Sequence, residues 1–142
     1  SWAKPEGPTK FTGQEQEVDV EEVFAKFKEG VAAQISVDDS QAHYDLGVAY
    51  KEMMLVDDAI REVETSARDP NRECISYSMI GMIHIERGSI DKAIEAFKRA
   101  LDSQIRDPEQ DAALSYELGG AYEELKMRRE ALKKLVSELR AK

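Results

Sequence analysis

Two histidines (His43 and His84), one cysteine (Cys74) and the adjacent carboxylates Asp57-Asp58 and Glu123-Glu124 are the first places to look for chemistry in this chain of 142 residues. None has the spacing that chemistry needs. Neighbouring residues on a helix point to different sides, so the paired acids cannot act as a general acid–base couple. Cys74 lies in no nucleophile motif and reads as a small packing residue. The histidines occur in separate segments and read as packed, satisfied side chains rather than as metal or acid–base groups. No phosphate loop, zinc ligand set or nucleophile elbow occurs. The expectation is a non-catalytic chain with no cofactor and no metal. The basic run Lys126, Arg128, Arg129, Lys133 and Lys134 is either a solvated helix face or a site for an acidic partner.

The elements that would position any site repeat along the chain. Leu46-Gly47, Tyr50 and Ala59 are answered by Ile80-Gly81, His84 and Ala93, and again by Leu118-Gly119, Tyr122 and Ala131. The interval from glycine to alanine is twelve residues each time. Fixed intervals of this kind mark a repeat architecture. In the first unit Tyr44, Gly47, Val48 and Tyr50 have helical spacing, and after a polar break Val56, Ala59, Ile60 and Val63 resume it. A glycine inside a helix costs roughly 1 kcal/mol against alanine, which suggests that a second helix approaches closely there. Each unit is thus expected to be a helical hairpin.

At these residues the chain resembles the tetratricopeptide repeat family, whose unit runs to about 34 residues. The second unit matches best, with Tyr77, Ile80-Gly81, Gly88 at the turn, Ala93, Phe97 and Ala100. The first carries Met54 in place of the turn glycine and Val63 in place of an aromatic; the third carries Lys126 and Leu135 there. The resemblance implies an all-α fold, an α-α superhelix of three helical hairpins at about 40–73, 74–107 and 108–142, and a role in protein–protein interaction. Its wording, with Tyr50-Lys51-Glu52-Met53 and Phe27-Lys28-Glu29-Gly30-Val31, is similar to bacterial scaffold and adaptor proteins of envelope or motility assemblies.

Composition agrees with a globular chain: 42% of residues are hydrophobic and 35% charged. A net charge of −9 argues against nucleic acid, whose phosphates are bound by Lys and Arg. No apolar run approaches the length of a membrane span. One cysteine cannot form an internal disulfide, so a cytoplasmic location is expected. The chain starts at Ser1 and its third unit ends at Lys142, which reads as a fragment of a longer repeat protein.

Residues 1–17, with Pro5, Gly7, Pro8 and Gly13, read as a flexible linker, or as an arm that docks through Trp2 and Phe11. Over residues 18–36 the stripe Val20, Phe24, Phe27, Val31 and Ile35 predicts a helix, with Asp19, Glu21 and Glu22 suiting its N-terminal dipole. We read it as a cap over the first hairpin. Ser40 is the expected N-cap of that hairpin. Gly47 to Gly81 is 34 residues and Gly81 to Gly119 is 38. The extra four are about one helical turn, and they predict that the middle unit's second arm continues to Ile105. Asp107-Pro108-Glu109-Gln110 predicts a capped helix start.

In the tetratricopeptide family the first arms line a concave groove. The matching positions here are Tyr44, Asp45, Val48 and Lys51; Ser78, Met79, Met82 and Ile85; and Tyr116, Glu117, Gly120 and Glu123. A clamp for C-terminal carboxylates would need more bases than Lys51. The reading is therefore an aromatic and methionine floor with acidic edges for an apolar or basic peptide or helix. Tyr44 and Tyr116 are expected to be open, and Met79 and Met82 to be either floor or core. The alternatives are a partner on the basic face of Arg128, Arg129, Lys133 and Lys134, and a spacer that forms a homodimer through its last helix.

Overall fold

The computed structural model describes residues 19–36 and 38–142. Among these it contains six helices and no strand: α1 (Val20–Gln34), α2 (Ser40–Glu52), α3 (Val56–Ser66), α4 (Glu73–Glu86), α5 (Ile90–Asp102) and α6 (Pro108–Arg140). The described residues divide into two compact units, the first ending at Ser36 and the second running on to Lys142. The expected linker, with Trp2 and Phe11, lies outside the described residues.

The first unit holds α1 where the stripe predicted it. Asp19 is its N-cap, accepting from the Glu21 N–H at 3.1 Å and the Glu22 N–H at 3.4 Å. None of its residues is buried.

In the second unit α2 packs on α3 and α4 on α5, and the two hairpins meet through α3 and α4, with α5 then covered by α6. This is the expected all-α solenoid. The repeat glycines explain the closeness of each hairpin. A Cβ on Gly47 would overlap the Val63 side chain, and one on Gly81 would overlap the Phe97 ring. Between hairpins, Val63, Ile80 and Ala96 form a buried seam, and Cys74, Ala93, Phe97, Ala100 and Leu114 form the centre of the core. Cys74 is thus a packing residue, as its sequence context suggested.

The two hairpin turns have the same wiring. The Leu55 N–H donates to the Tyr50 carbonyl at 2.9 Å and Met54 to Lys51 at 3.0 Å; Ser89 donates to His84 at 2.9 Å and Gly88 to Ile85 at 3.0 Å. This motif needs a left-handed residue after the helix. Gly88 supplies it at φ 77°, and Met54 adopts it at φ 65° despite its side chain.

Three local expectations are corrected. Ser40 is not the N-cap of α2. The cap is Asp39, whose carboxylate accepts the Ala42 N–H at 3.0 Å. The Ser40 hydroxyl instead donates to Asp69 at 2.7 Å, and Ser66 donates to the Ser40 carbonyl at 2.8 Å, tying the start of α2 to the α3–α4 turn.

The middle unit's second arm does not reach Ile105. It ends at Asp102, and Ser103 turns into extended backbone with its hydroxyl buried against the Ala100 carbonyl at 2.6 Å. Arg106 holds the loop by donating to the Ser103 carbonyl and to Asp111. Ile105 is left exposed. The next helix starts as its sequence predicted: Asp107 and Gln110 form a reciprocal capping box at 2.7 and 3.0 Å, with Pro108 at the first helical position.

The third unit departs from a hairpin. Its two expected arms are one helix of 33 residues, α6. From Ala121 to Lys142 the sequence has neither glycine nor proline and is rich in Glu, Leu, Lys, Arg and Ala, all good helix formers. Lys126 stands where the first two units turn, and Glu124 and Arg128 bridge that place by an i,i+4 ion pair at 3.0 Å. The lost turn exposes Leu132, Leu135 and Leu139.

Candidate protein-interaction groove

The groove positions read from the sequence do not stay together. An open cleft of about 750 Å³ lies between the end of α4 and the first half of α6. Ile85, Tyr116, Glu117, Gly120 and Glu123 line it. Tyr116 is 79% exposed, so its ring is presented rather than packed. Ile85 supplies an apolar wall that is itself seated on Cys74, Phe97 and their neighbours. Glu124 and Arg128 are among the lining residues that the groove positions do not include. Glu124 adds to the acidic edge, and Arg128 closes one end by donating to the Gly88 carbonyl at 3.1 Å. Their signal in the sequence was the i,i+4 spacing of Glu124 and Arg128, which is meaningful only once the helix continues past Lys126.

The first-unit positions lie elsewhere. Tyr44 is not open. It packs against the seam of Val63, Ile80 and Ala96, and burial raises its phenol pKa despite the nearby Arg72. Met79 joins the same seam, so it is core, whereas Met82 lies at the surface. Asp45 is exposed and accepts from Gln41 at 2.9 Å, and Val48 is half-buried. Lys51 forms an ion pair with Glu86 at 3.2 Å, and Ser78 donates back to the Cys74 carbonyl at 2.7 Å.

The basic run is also divided. Arg129 and Lys133 line a second cleft with Asp91, Glu95 and Lys98 on α5, whereas Arg128 belongs to the first. Lys98 stacks near Tyr122, whose hydroxyl chiefly holds the ammonium pKa above its ordinary value.

The histidines differ from one another. His43 Nδ1 lies 2.6 Å from a Glu62 carboxylate oxygen, which suits a structural pair across α2 and α3. His84 is not satisfied as expected: its buried Nδ1 has no hydrogen-bond partner among the described residues. Burial, then Lys92 and Arg87, lower its pKa, so the neutral ring is favoured. No group of three or more potential metal-ligating side chains comes together among the described residues. No described helix is long and apolar enough to cross a membrane.

Fold and cleft together describe a helical-repeat chain with a shallow cleft between its second hairpin and α6. Comparison with known proteins gives the repeat its family. Residues 76–104, spanning most of α4 and all of α5, match the family model described as tetratricopeptide repeat. The second hairpin is a tetratricopeptide repeat, and the resemblance read from the sequence is borne out where it was strongest. The chain is also similar to the BBSome complex member BBS4 of Mus musculus and of Bos taurus, at 34% identity over 71 residues in each case. The matched stretch is half of this chain and 14% of the length of either relative.

Proposed function

We propose that this chain is a non-catalytic protein-interaction module that takes an apolar, basic partner segment in the cleft between α4 and the first half of α6. The observation that carries this reading is the exposed Tyr116 ring beside Ile85, bordered by Glu117, Glu123 and Glu124. Tyrosine gives a large contact at small rotamer cost, and an acidic border speeds encounter with a basic segment. Tetratricopeptide repeats generally mediate protein contacts. The two relatives are, by name, members of a complex, which supports a role within an assembly.

The matched relatives are mammalian, so the bacterial likeness rests on the wording of Tyr50–Met53 and Phe27–Val31 alone. The second reading is a spacer or self-association element in an envelope or motility assembly. The exposed Leu132, Leu135 and Leu139 favour it.

The test is fluorescence titration of a labelled Lys/Leu-rich peptide, selected from a displayed library on the wild-type protein. Affinity in roughly the micromolar range is expected, because ordering a flexible peptide offsets much of the contact energy. Tyr116→Ala combined with Glu123→Lys should weaken binding at least about tenfold, the scale of losing one central anchor. Added salt should weaken it further. Loss of binding only on reversing Lys133 and Lys134 to glutamate would move the site to the basic face and sink the cleft assignment.

A further inference from the structure

The third repeat carries the parts of a hairpin that the first two repeats close. Gly47 and Gly81 each lie against the side chain sixteen residues later, Val63 and Phe97, leaving no room for a Cβ. The same interval joins Gly119 to Leu135. Yet a Cβ on Gly119 would meet nothing within 4 Å, and Leu135 is 52% exposed. Tyr122 is 44% exposed, whereas its counterpart Tyr50 is 3% exposed. Leu132 and Leu139 complete an apolar stripe with nothing over it among the described residues. We propose that residues 128–140 are a strap that folds back onto the first half of α6 and closes the third hairpin, and that the straight α6 is its open form.

The balance turns on Lys126. The open form keeps an unbroken backbone ladder together with the contacts of Arg128 to Glu124 and to the Gly88 carbonyl. Closing gives these up and needs a left-handed residue at position 126, seven after Gly119, as Met54 and Gly88 are seven after Gly47 and Gly81. Met54 shows that a non-glycine residue in this fold accepts that conformation. In return, closing covers Gly119, Tyr122 and the stripe of Leu132, Leu135 and Leu139, whose exposure to water is unfavourable.

The occupant is the chain's own strap rather than a second copy, for a geometric reason. Sixteen residues of helix leave Gly119 and Leu135 about 160° apart around the axis of a straight α6. The leucine stripe continues the side on which Leu114 and Ala121 pack against the body of this same chain. Two straight helices laid together to exchange straps would therefore put one copy's α5 where the other's strap must lie. An exchanged pair needs the same break at Lys126 as local closure and has to associate as well. Closure also withdraws Arg128 from the cleft end that it occupies in the open form, so the strap would change the rim that a bound segment meets.

Spin labels on cysteines replacing Ala113 and Ala141, in a Cys74→Ala background checked by circular dichroism, test this directly. If alanine at position 74 unfolds the chain, Cys74→Val serves instead. In the straight helix the two sites are about 42 Å apart, at 1.5 Å per residue. Closure places them on facing helices about 8–10 Å apart, so the labels fall within about 20 Å. We expect both populations in the otherwise native chain. Lys126→Gly should raise the ratio of short to long distances about fivefold by weakening the helix there. Leu135→Glu should abolish the short distance. A long distance alone, in both the native sequence and Lys126→Gly, would overturn the proposal. Short distances arising between singly labelled chains on mixing would also overturn it, in favour of exchange between copies.

Discussion

One methyl group distinguishes the three repeat glycines. At Gly81 an added Cβ would overlap the edge of the Phe97 ring, and at Gly47 it would press on Val63 and the Ala59 carbonyl; at Gly119 it would have open space. Overpacking typically costs 1–3 kcal/mol, while glycine to alanine in an open helix gains up to about 1 kcal/mol. Gly81→Ala should therefore lower stability by about 1–2 kcal/mol in urea unfolding, and Gly119→Ala should raise it by about 0.5–1 kcal/mol. Equal losses at both sites would mean that the third hairpin is closed in most molecules. The glycine–alanine interval was legible in the sequence because it is local and repeated. What covers each glycine was not, since that depends on whether the chain turns seven residues later. Tyr44 was misread for a related reason: its neighbours Ile80 and Ala96 belong to the next hairpin, a contact that spacing within one unit cannot show.

At the scale of elements, the differences between sequence reading and structure lie where helices end. The Leu101–Ile105 stretch has helical spacing, but Ser103 supplies a competing hydroxyl contact to the Ala100 carbonyl, and Arg106 secures the resulting loop. Serine stops a helix by this kind of local bonding, which periodicity does not register. At Lys126 the opposite happens: a turn is expected from the repeat, and strong helix formers run through it. The capping box at Asp107 was legible because its signal is four adjacent residues. Met54 shows what a turn without glycine costs. It is 81% exposed, so its side chain gains little, while its φ of 65° is unfavourable for an L-residue by roughly 1 kcal/mol. Met54→Gly should stabilise the protein by about 0.5–1 kcal/mol, the strain relief slightly reduced by the greater freedom of glycine in the unfolded chain. Thermal unfolding checks this, and a lowered midpoint would show that the Met54 side chain makes a contact that matters.

For the whole molecule, pH acts through two opposed effects. The chain carries −9 at neutral pH with an isoelectric point near 4.8, so acidification relieves self-repulsion. Against this stands His84, a half-buried ring that must take up a proton while its sealed Nδ1 has no partner among the described residues. Its folded pKa lies below the ordinary 6.5, so the unfolded chain binds the proton more readily. The stability tied to the neutral ring is full above pH 6.5 and declines as pH falls through that value. Asp69 behaves separately: the Ser40 hydroxyl, then the Asn71 N–H, lower its pKa from about 3.8, and its contribution is lost only in stronger acid. Comparing wild type with His84→Gln removes the global charge effect, which both share. The variant should lose less stability than wild type between pH 7.5 and 5.5, so the two curves diverge below about pH 6.5. Parallel curves would mean that His84 Nδ1 finds a water or another hydrogen-bond partner in the folded chain.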